Sequence, residues 1–500
     1  YHYPAGMHKK GTLIDIHEWD TGKYLGQIAQ ARQTYNVIGN MNEFQLTIGE
    51  TTFGGRPELV DTTGIIDYGS LIYLGLQRSR TAREAIKVMT ELVQEYGYYS
   101  GGESFTIADP NEIWIMEMIG KGPGVRGAVW VAVRVPDDCI SAHANQSRIH
   151  QFNMNDKENC MYSPDVISFA REKGYFDGVN KDFSFANAYA PLDFGARRYC
   201  EARVWSYFNM FTDRGNEFLP YILGETNTPM PLFVKPNRKV SVQDVKNAMR
   251  DHYEGTPLDI SKDFGAGPYH TPYRLSPLSF KVGDREYFNE RPISTQQSGF
   301  VFVAQMRSEL PDPIGGVLWF GTDDANMTVF TPVYCCTDKV PVCYTRVDGA
   351  DYITFSWNSA FWIFNWVANM VYPRYDLMMG DVRATQTELE TTFNEAQEGV
   401  EAAAAKLLEK DPAKAKAFLT NYTNMTAQST FDTWKRLGEF LVVKYNDGVV
   451  KRMKNGQFER NSIGQPAGVI RPGYPKEFLE EYVKQTGDCL LYTSPSPRDA

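Results

Sequence analysis

Nowhere in these 500 residues do eighteen apolar positions run unbroken. A helix needs about that length to cross a bilayer, so the sequence offers no membrane-spanning helix. The nearest run, SAFWIFNWVANMVY at 359–372, is interrupted by Asn365 and Asn369. It is expected to form a buried helix or a strand-to-helix element. Cysteine is scarce too: seven residues cannot staple a chain of this size. Cys335, Cys336 and Cys343 stand together as CCTDKVPVC, yet two adjacent cysteines and a six-residue gap fit no common zinc spacing. A buried free thiol is the expectation there, with a disulfide as the alternative. The seven histidines are dispersed and form no HExxH, so neither a metal nor a cofactor is expected. Lys and Arg (51) are outnumbered by Asp and Glu (61) and scattered among them, so a nucleic-acid partner has no electrostatic support.

What is abundant is aromatic: 29 Tyr, 29 Phe and 9 Trp favour sheet-rich architecture. Length allows two domains or one elaborated domain. The stretch NMNEFQLTIGETTFGG, 40–55, opens on amides and a carboxylate and ends on Glu50-Thr51-Thr52 beside a glycine pair. Residues 35–52 read as a strand, a Gly-Asn-Met-Asn-Glu turn and a second strand. Residues 67–97 carry two helices. In the second, Ala82, Ala85, Ile86, Met89, Leu92 and Val93 recur at three-four spacing. Thr81 with Glu84 suggests a capping box, and Gly97 sits where a glycine stops a helix. A second hairpin is expected over 104–120, a strand over 128–135, and a short strand ending near Asn145. A Ser-capped helix is expected over 240–254, three strands over 294–334 and one more in YITFSW, 352–357. From 381 to 446 the chain is rich in Ala, Glu and Lys and strongly helical, with a break at Asp411-Pro412.

Both ends are unusual. The chain starts YHYPAGMHKK without Met, and is read as a fragment lacking its first strands. Residues 489–500, CLLYTSPSPRDA, lack periodicity and resemble a translated sequencing-adapter tail; disorder is expected and Cys489 carries no weight. The expected organisation is a core over 1–380, a helical extension packed on it over 381–460, a C-terminal segment over 461–488 and that tail.

Polar side chains gather at strand ends: Asn42, Glu43, Glu50 and Thr51; Asn145 and Gln146; Gln296, Gln297 and Arg307. Such groups can form an oxyanion hole or grip a peptide backbone. The blander reading is that amides beside turns cap their own backbone. Asp323-Asp324 could bind a cation or amine, though such pairs are more often solvated turns. Asn145 also begins the glycosylation sequon NQS. No cysteine has a persuasive nucleophile context, since a thiolate wants a base or positive charge nearby. His143, four residues past Cys139, is a weak candidate partner.

The words YNVIGNMNEFQLTIGETTFGGR, IIDYGSLIYLGLQRSRTAREAIKVMTELVQEYGY, SFTIADPNEIWIMEM and GAVWVAVRVPDDCISAHANQSRI, in this order, resemble the cysteine dipeptidases of peptidase family C69, in the N-terminal-nucleophile superfamily. The resemblance continues to about residue 460 and includes STQQSGFVFVAQMRSELPDPIGGVLWFGTDDA. It implies an α+β fold, a four-layer αββα sandwich with two antiparallel sheets between helices. It also implies a first mature residue Cys, exposed by removal of a leader, whose α-amine takes the thiol proton. That amine titrates near pH 8, suited to the task at neutral pH. On this reading the nucleophile precedes Tyr1 and the 500-residue chain is inactive.

The resemblance assigns Asn145, in HANQS, to the oxyanion site, and Glu50 and Thr51 to oxyanion or substrate positioning. Asn42 and Arg307 are the further substrate-binding candidates. The expected activity is hydrolysis of dipeptides, with acyl-amino-acid amide hydrolysis or a non-catalytic, secernin-like binding role as alternatives. Small peptides are the expected partners, and a homo-oligomer is allowed for. Family processing implies a secreted or periplasmic protein, with the cytoplasm as the alternative.

Overall fold

A computed structural model of the chain describes residues 1–491. The protein mixes helices with antiparallel sheets. Its larger sheet is an eight-stranded meander in chain order: β1 (His2–Tyr3), β2 (Val37–Ile38), β3 (Met41–Asn42), β4 (Thr47–Gly54), β5 (Gly102–Ala108), β6 (Ile113–Gly120), β7 (Ala128–Arg134) and β8 (Cys160–Tyr162). The segment expected as one hairpin over 35–52 is three strands. Gly39, at φ 55°, turns β2 into β3, and Asn42 with Gln45, at φ 63°, turns β3 into β4. A helix pair, α1 (Tyr68–Arg78) and α2 (Ala82–Tyr96), separates β4 from β5.

Strand alternation gives the large sheet two different faces. Ile48, Phe105, Ile107, Trp114, Met116 and Met118 point to one face and form a core with Leu74, Ile86 and Met89 of α1 and α2. The cap of α2 is half of the expected box. Thr81 Oγ1 accepts from the Glu84 N–H at 3.2 Å, but the Glu84 carboxylate accepts from the Arg80 N–H, not from Thr81. Gly97, at φ 78°, closes the helix by donating to the Val93 carbonyl.

The opposite face is divided. Ile115, Ile119, Val129 and Val131 pack under the 160–189 segment with Val166, Phe169 and Tyr189. Ile38 and Met41 instead meet a second sheet, β9 (Phe300–Gln305), β10 (Val317–Thr322) and β11 (Thr331–Tyr334), through Leu318 and Val333. Gly39 permits that approach: a Cβ there would lie 2.7 Å from Leu318 Cδ2. The far face of the small sheet, with Val301, Val303, Val317 and Trp319, joins a core built by α3 (Ala360–Val371), α4 (Tyr375–Leu408) and α5 (Pro412–Tyr445).

The apolar run at 359–372 is thus a helix packed on a sheet, and no helix among the described residues is long and apolar enough to cross a membrane. The Asp-Pro break holds, with the Asp411 carboxylate accepting from the Ala413 and Lys414 N–H groups. Two expectations fail. YITFSW is an exposed turn-rich loop, because no neighbouring strand pairs with it. The helix expected over 240–254 covers only Val242–Ala248, although Ser241 and Asp244 do form a full capping box. Of the expected tail, 487–490 form a short turn and residues 492–500 lie outside the described residues.

Candidate active site

Beyond the β2–β3 hairpin, β4 has no neighbour on one side. Ile48 is the last residue served there: its N–H donates to the Asn40 carbonyl at 3.2 Å, and its carbonyl accepts from Asn40 Nδ2 at 2.9 Å. In an antiparallel ladder, backbone groups alternate between the two flanks every second residue. Glu50 and Thr52 therefore present their N–H and C=O groups to this open flank while Gly49 and Thr51 bond to β5. The Thr52 carbonyl is taken by Asn145 Nδ2 at 2.7 Å. The Glu50 N–H and C=O and the Thr52 N–H have no strand beside them.

Neighbouring residues of β4 face opposite ways. On the divided face a polar patch lies between the two apolar clusters. Thr51 and Thr106 clamp His143 between them, Oγ1 to Nδ1 at 2.6 Å and Oγ1 to Nε2 at 2.7 Å. With both ring nitrogens engaged, burial and the nearby Arg148 charge hold the imidazole down to about 4. Beside it Glu117, fully buried, accepts from the Arg148 N–H at 2.5 Å, the Ile149 N–H at 3.2 Å and Ser147 Oγ. Burial pushes its carboxyl up to about 7 against the pull of those donors. The Arg148 side chain turns away to a buried pair with Glu201 at 2.9 Å.

Asn145 stands at the rim of this patch, two residues after His143, with φ 57°. Asparagine tolerates that left-handed conformation better than most residues. Its Oδ1 accepts from Arg203 Nη2 at 3.0 Å, so the carboxamide is fixed from both ends. A glycan on Nδ2 would replace one of its two hydrogens and leave a single donor for the Thr52 carbonyl.

On the other face Glu50 meets Glu103, buried to 1% exposure. Glu103 accepts from Thr52 Oγ1 at 2.8 Å, and each carboxyl keeps one buried oxygen without a partner. Burial raises both acids, and their mutual repulsion raises Glu103 further. Around the open flank lies a cavity of about 420 Å³ lined by Asn40, Gly49, Glu50 and aromatic rings from both faces.

The structure thus brings Asn145, Glu50 and Thr51 to one strand end, with Thr51 engaged by His143. Asn42 and Arg307 are corrections. Asn42 is buried, donating to the Leu76 and Ser79 carbonyls and accepting from the Phe44 and Leu46 N–H groups, which leaves nothing for a substrate. Arg307 is spent on Glu401, at 2.6 and 2.8 Å, and on the Ile314 and Gly315 carbonyls. Gln296 and Gln297 donate to Arg274 and Ser276 in the loop that precedes β9. Asp323-Asp324 is no solvated turn: Asp324 accepts from Ser294, Tyr273 and Tyr372, and burial pushes Asp323 up to about 8.

The seven cysteines are free thiols. Burial raises Cys160, Cys200, Cys335, Cys336 and Cys343. Cys139 is raised by burial and by Asp138 beside it, and His143 is engaged elsewhere. No cluster of three or more His, Cys, Asp or Glu suited to a metal occurs among the described residues. Sequence reasoning missed His143 as a bridge, Glu117 and Glu103; only the alternation of β4 to β6 could have placed the last two.

Comparison with known proteins gives the following. A "Probable dipeptidase" of Salmonella dublin is 30% identical over 326 residues, 64% of this chain and 65% of that protein. A "Probable dipeptidase" of Latilactobacillus sakei is 27% identical over 70% of this chain and 66% of its own length. "Probable dipeptidase B" of Lactococcus lactis is 27% identical, covering 75% and 71%. The matches span about two thirds of the length of the first two relatives. The model of peptidase family C69 matches residues 1–388, which take in both sheets and every residue of the strand-end site, and the chain belongs to that family.

Proposed function

We propose that the protein is a cysteine-type dipeptidase whose reaction takes place at the open flank of β4. The observation that carries this reading is the unpaired Glu50 N–H and C=O beside the fixed carboxamide of Asn145. An extended peptide is recognised through backbone groups of a bare strand edge. The same edge offers donors to the oxygen of a tetrahedral intermediate: a backbone N–H of Glu50 or Thr52, with the second Nδ2 hydrogen of Asn145.

The nucleophile in this scheme is none of the seven cysteines: Cys139, Cys160, Cys200, Cys335, Cys336 and Cys343 have raised thiols, and Cys489 lies 101 residues beyond the matched family region. It is an N-terminal cysteine from outside residues 1–500, brought to the flank of β4. Its α-amine takes the thiol proton as sulfur bonds to the scissile carbonyl carbon. That proton passes to the leaving amine as the C–N bond breaks. Water then opens the thioester, returning the thiol and releasing the second amino acid. The two facing sheets and their outer helices support a four-layer αββα arrangement for this chemistry.

The test is hydrolysis of dipeptides by the full-length protein, with mapping of the thiol that a haloacetamide blocks as activity falls. Labelling outside the seven cysteines, matched one-for-one to inactivation, is expected. Inactivation that maps to Cys139, or no dipeptide hydrolysis, overturns the proposal.

A further inference from the structure

Arg203 holds the end of the Asn145 carboxamide that Thr52 does not. Its Nη2 donates to Asn145 Oδ1 at 3.0 Å and to the Ala144 carbonyl at 3.2 Å, while its Nε donates to the Tyr199 carbonyl at 2.8 Å. A guanidinium has no acceptor, and a backbone carbonyl has no donor. The Asn145 amide therefore has one orientation, with its oxygen toward Arg203 and its nitrogen toward Thr52.

Two features set this arginine apart. The first is its charge. Arg148, Arg198, Arg250 and Arg274 are each paired with a carboxylate. Arg203, half-buried, forms no salt bridge with any Asp or Glu among the described residues. Its partners are neutral oxygens, and Arg291 adds a second positive charge nearby; burial first, and then Arg291, lower the guanidinium. A charge drawn out of water without a counter-ion is costly. The second feature is the backbone. Arg197–Glu201, just ahead of Arg203, is a π-helical turn closed by the Ala202 N–H on the Arg197 carbonyl. Such turns are rare and occur frequently at functional sites, because the extra residue re-aims the side chains that follow. With the turn in place, Glu201 meets Arg148 and Arg203 meets Asn145.

We propose that Arg203 is a positioning residue for the reaction: its unneutralised charge at Oδ1 polarises the Asn145 carboxamide and strengthens the Nδ2–H that receives the substrate oxygen. The inference rests on the dipeptidase reading and names the group that makes Asn145 a strong donor. An amide is conjugated, so positive charge at its oxygen draws electron density from its nitrogen and makes each N–H a better donor. Thr52 takes one of the two hydrogens, which leaves the other in a fixed direction. The gain is largest when the substrate oxygen carries a full negative charge. It therefore falls on kcat more than on KM.

The test is steady-state hydrolysis of Leu-Gly by the full-length protein, with melting measured on every variant. Arg203→Gln keeps a neutral donor for Oδ1 and removes the charge. It should lower kcat about 10- to 100-fold, less than the loss of a whole oxyanion donor, with KM within about threefold of wild type. Arg203→Lys restores the charge and should recover most of kcat. In an Asn145→Ala background, Arg203→Gln should cost less than about threefold, because the group it acts through is gone. A folded Arg203→Gln protein with kcat within about threefold of wild type overturns the assignment and leaves dipeptide hydrolysis standing. Losses that multiply in the double variant overturn it too, since Arg203 would then act without Asn145. If Arg203→Gln has no melting transition, Arg203→Lys decides. A folded lysine variant within about tenfold of wild-type kcat upholds the role, and one no faster than Asn145→Ala overturns it. A wild-type protein that cleaves no dipeptide removes the dipeptidase reading, and this role with it.

Discussion

Asn145 Nδ2 lies 2.7 Å from the carbonyl oxygen of Thr52, 93 positions earlier, and so ties the segment after β7 to the unpaired flank of β4. One amide hydrogen is used in that contact, and the other remains for a substrate oxygen. Asn145→Ala in the full-length protein should lower kcat/KM on a dipeptide by about 10²–10³, the scale for one oxyanion donor. Asn145→Gly keeps the left-handed backbone without strain and should melt closer to wild type, yet lose the same activity. Kinetics and melting on the two variants check this. Retained activity in the glycine variant would make Asn145 a structural clamp only.

His143 gives a pH signature. Its pKa falls from 6.5 to about 4 on folding, so it contributes stability that is present above pH 6.5 and lost as pH falls through about 4. Glu117 runs the other way: raised to about 7, it contributes stability present below its unfolded value near 4.5 and lost as pH rises through about 7. The two slopes oppose each other across mildly acidic pH. Replacing His143 by Gln should expose the Glu117 slope. Urea unfolding between pH 4 and 8 should show a wild-type advantage over His143→Gln that grows from pH 4 to 6.5 and then levels off. An advantage that is constant over the range would contradict a buried neutral imidazole.

Cys139 is the half-buried cysteine, but Asp138 and burial raise its thiol, and the nearest histidine is held by two threonines. Cys139→Ser should leave dipeptide hydrolysis unchanged within about twofold. Its alkylation at pH 7 should be slower than that of a free thiol, because less thiolate is present. Rapid labelling with parallel inactivation is the result that would return Cys139 to the mechanism.

Local rules reached part of this architecture and stopped where distance in sequence began. The spacing of Ala85, Ile86, Met89, Leu92 and Val93 identifies α2, because a helix buries one stripe. Period-two alternation separates Glu50 from Thr51, yet nothing local says that one face meets Glu103 and the other His143. Asn42 was misplaced because its amide is used up on backbone, accepting from the local Phe44 and Leu46 N–H groups and donating to the Leu76 and Ser79 carbonyls at the end of α1. Arg307 was misplaced because Glu401 lies 94 residues away on α4. YITFSW has the residue types of a strand, but a strand exists only with a partner. Asn145 was reached through family resemblance; its spacing alone also fits a turn cap or a glycan.

The last prediction concerns what holds the site in place. Arg148 and Glu201 form a buried pair with side chains 2% and 4% exposed, and Arg148 also donates to the Ala142 and Pro231 carbonyls. The backbone N–H groups of Arg148 and Ile149 seat Glu117, so the pair fixes the segment that carries His143 and Asn145. Removing one charge from a buried pair costs about 3–5 kcal/mol, because the other is left uncompensated. Glu201→Ala should lose that much stability in urea and weaken dipeptide hydrolysis with it. Apolar replacement of both partners is often neutral or stabilising, so Arg148→Met combined with Glu201→Leu should recover most of the stability. The two effects then separate. Recovered stability with recovered activity means the pair serves only to hold the segment. Recovered stability without activity means the guanidinium sets the position of Asn145 or the field at His143. If Glu201→Ala unfolds no more easily than wild type, the pair does not anchor the site at all.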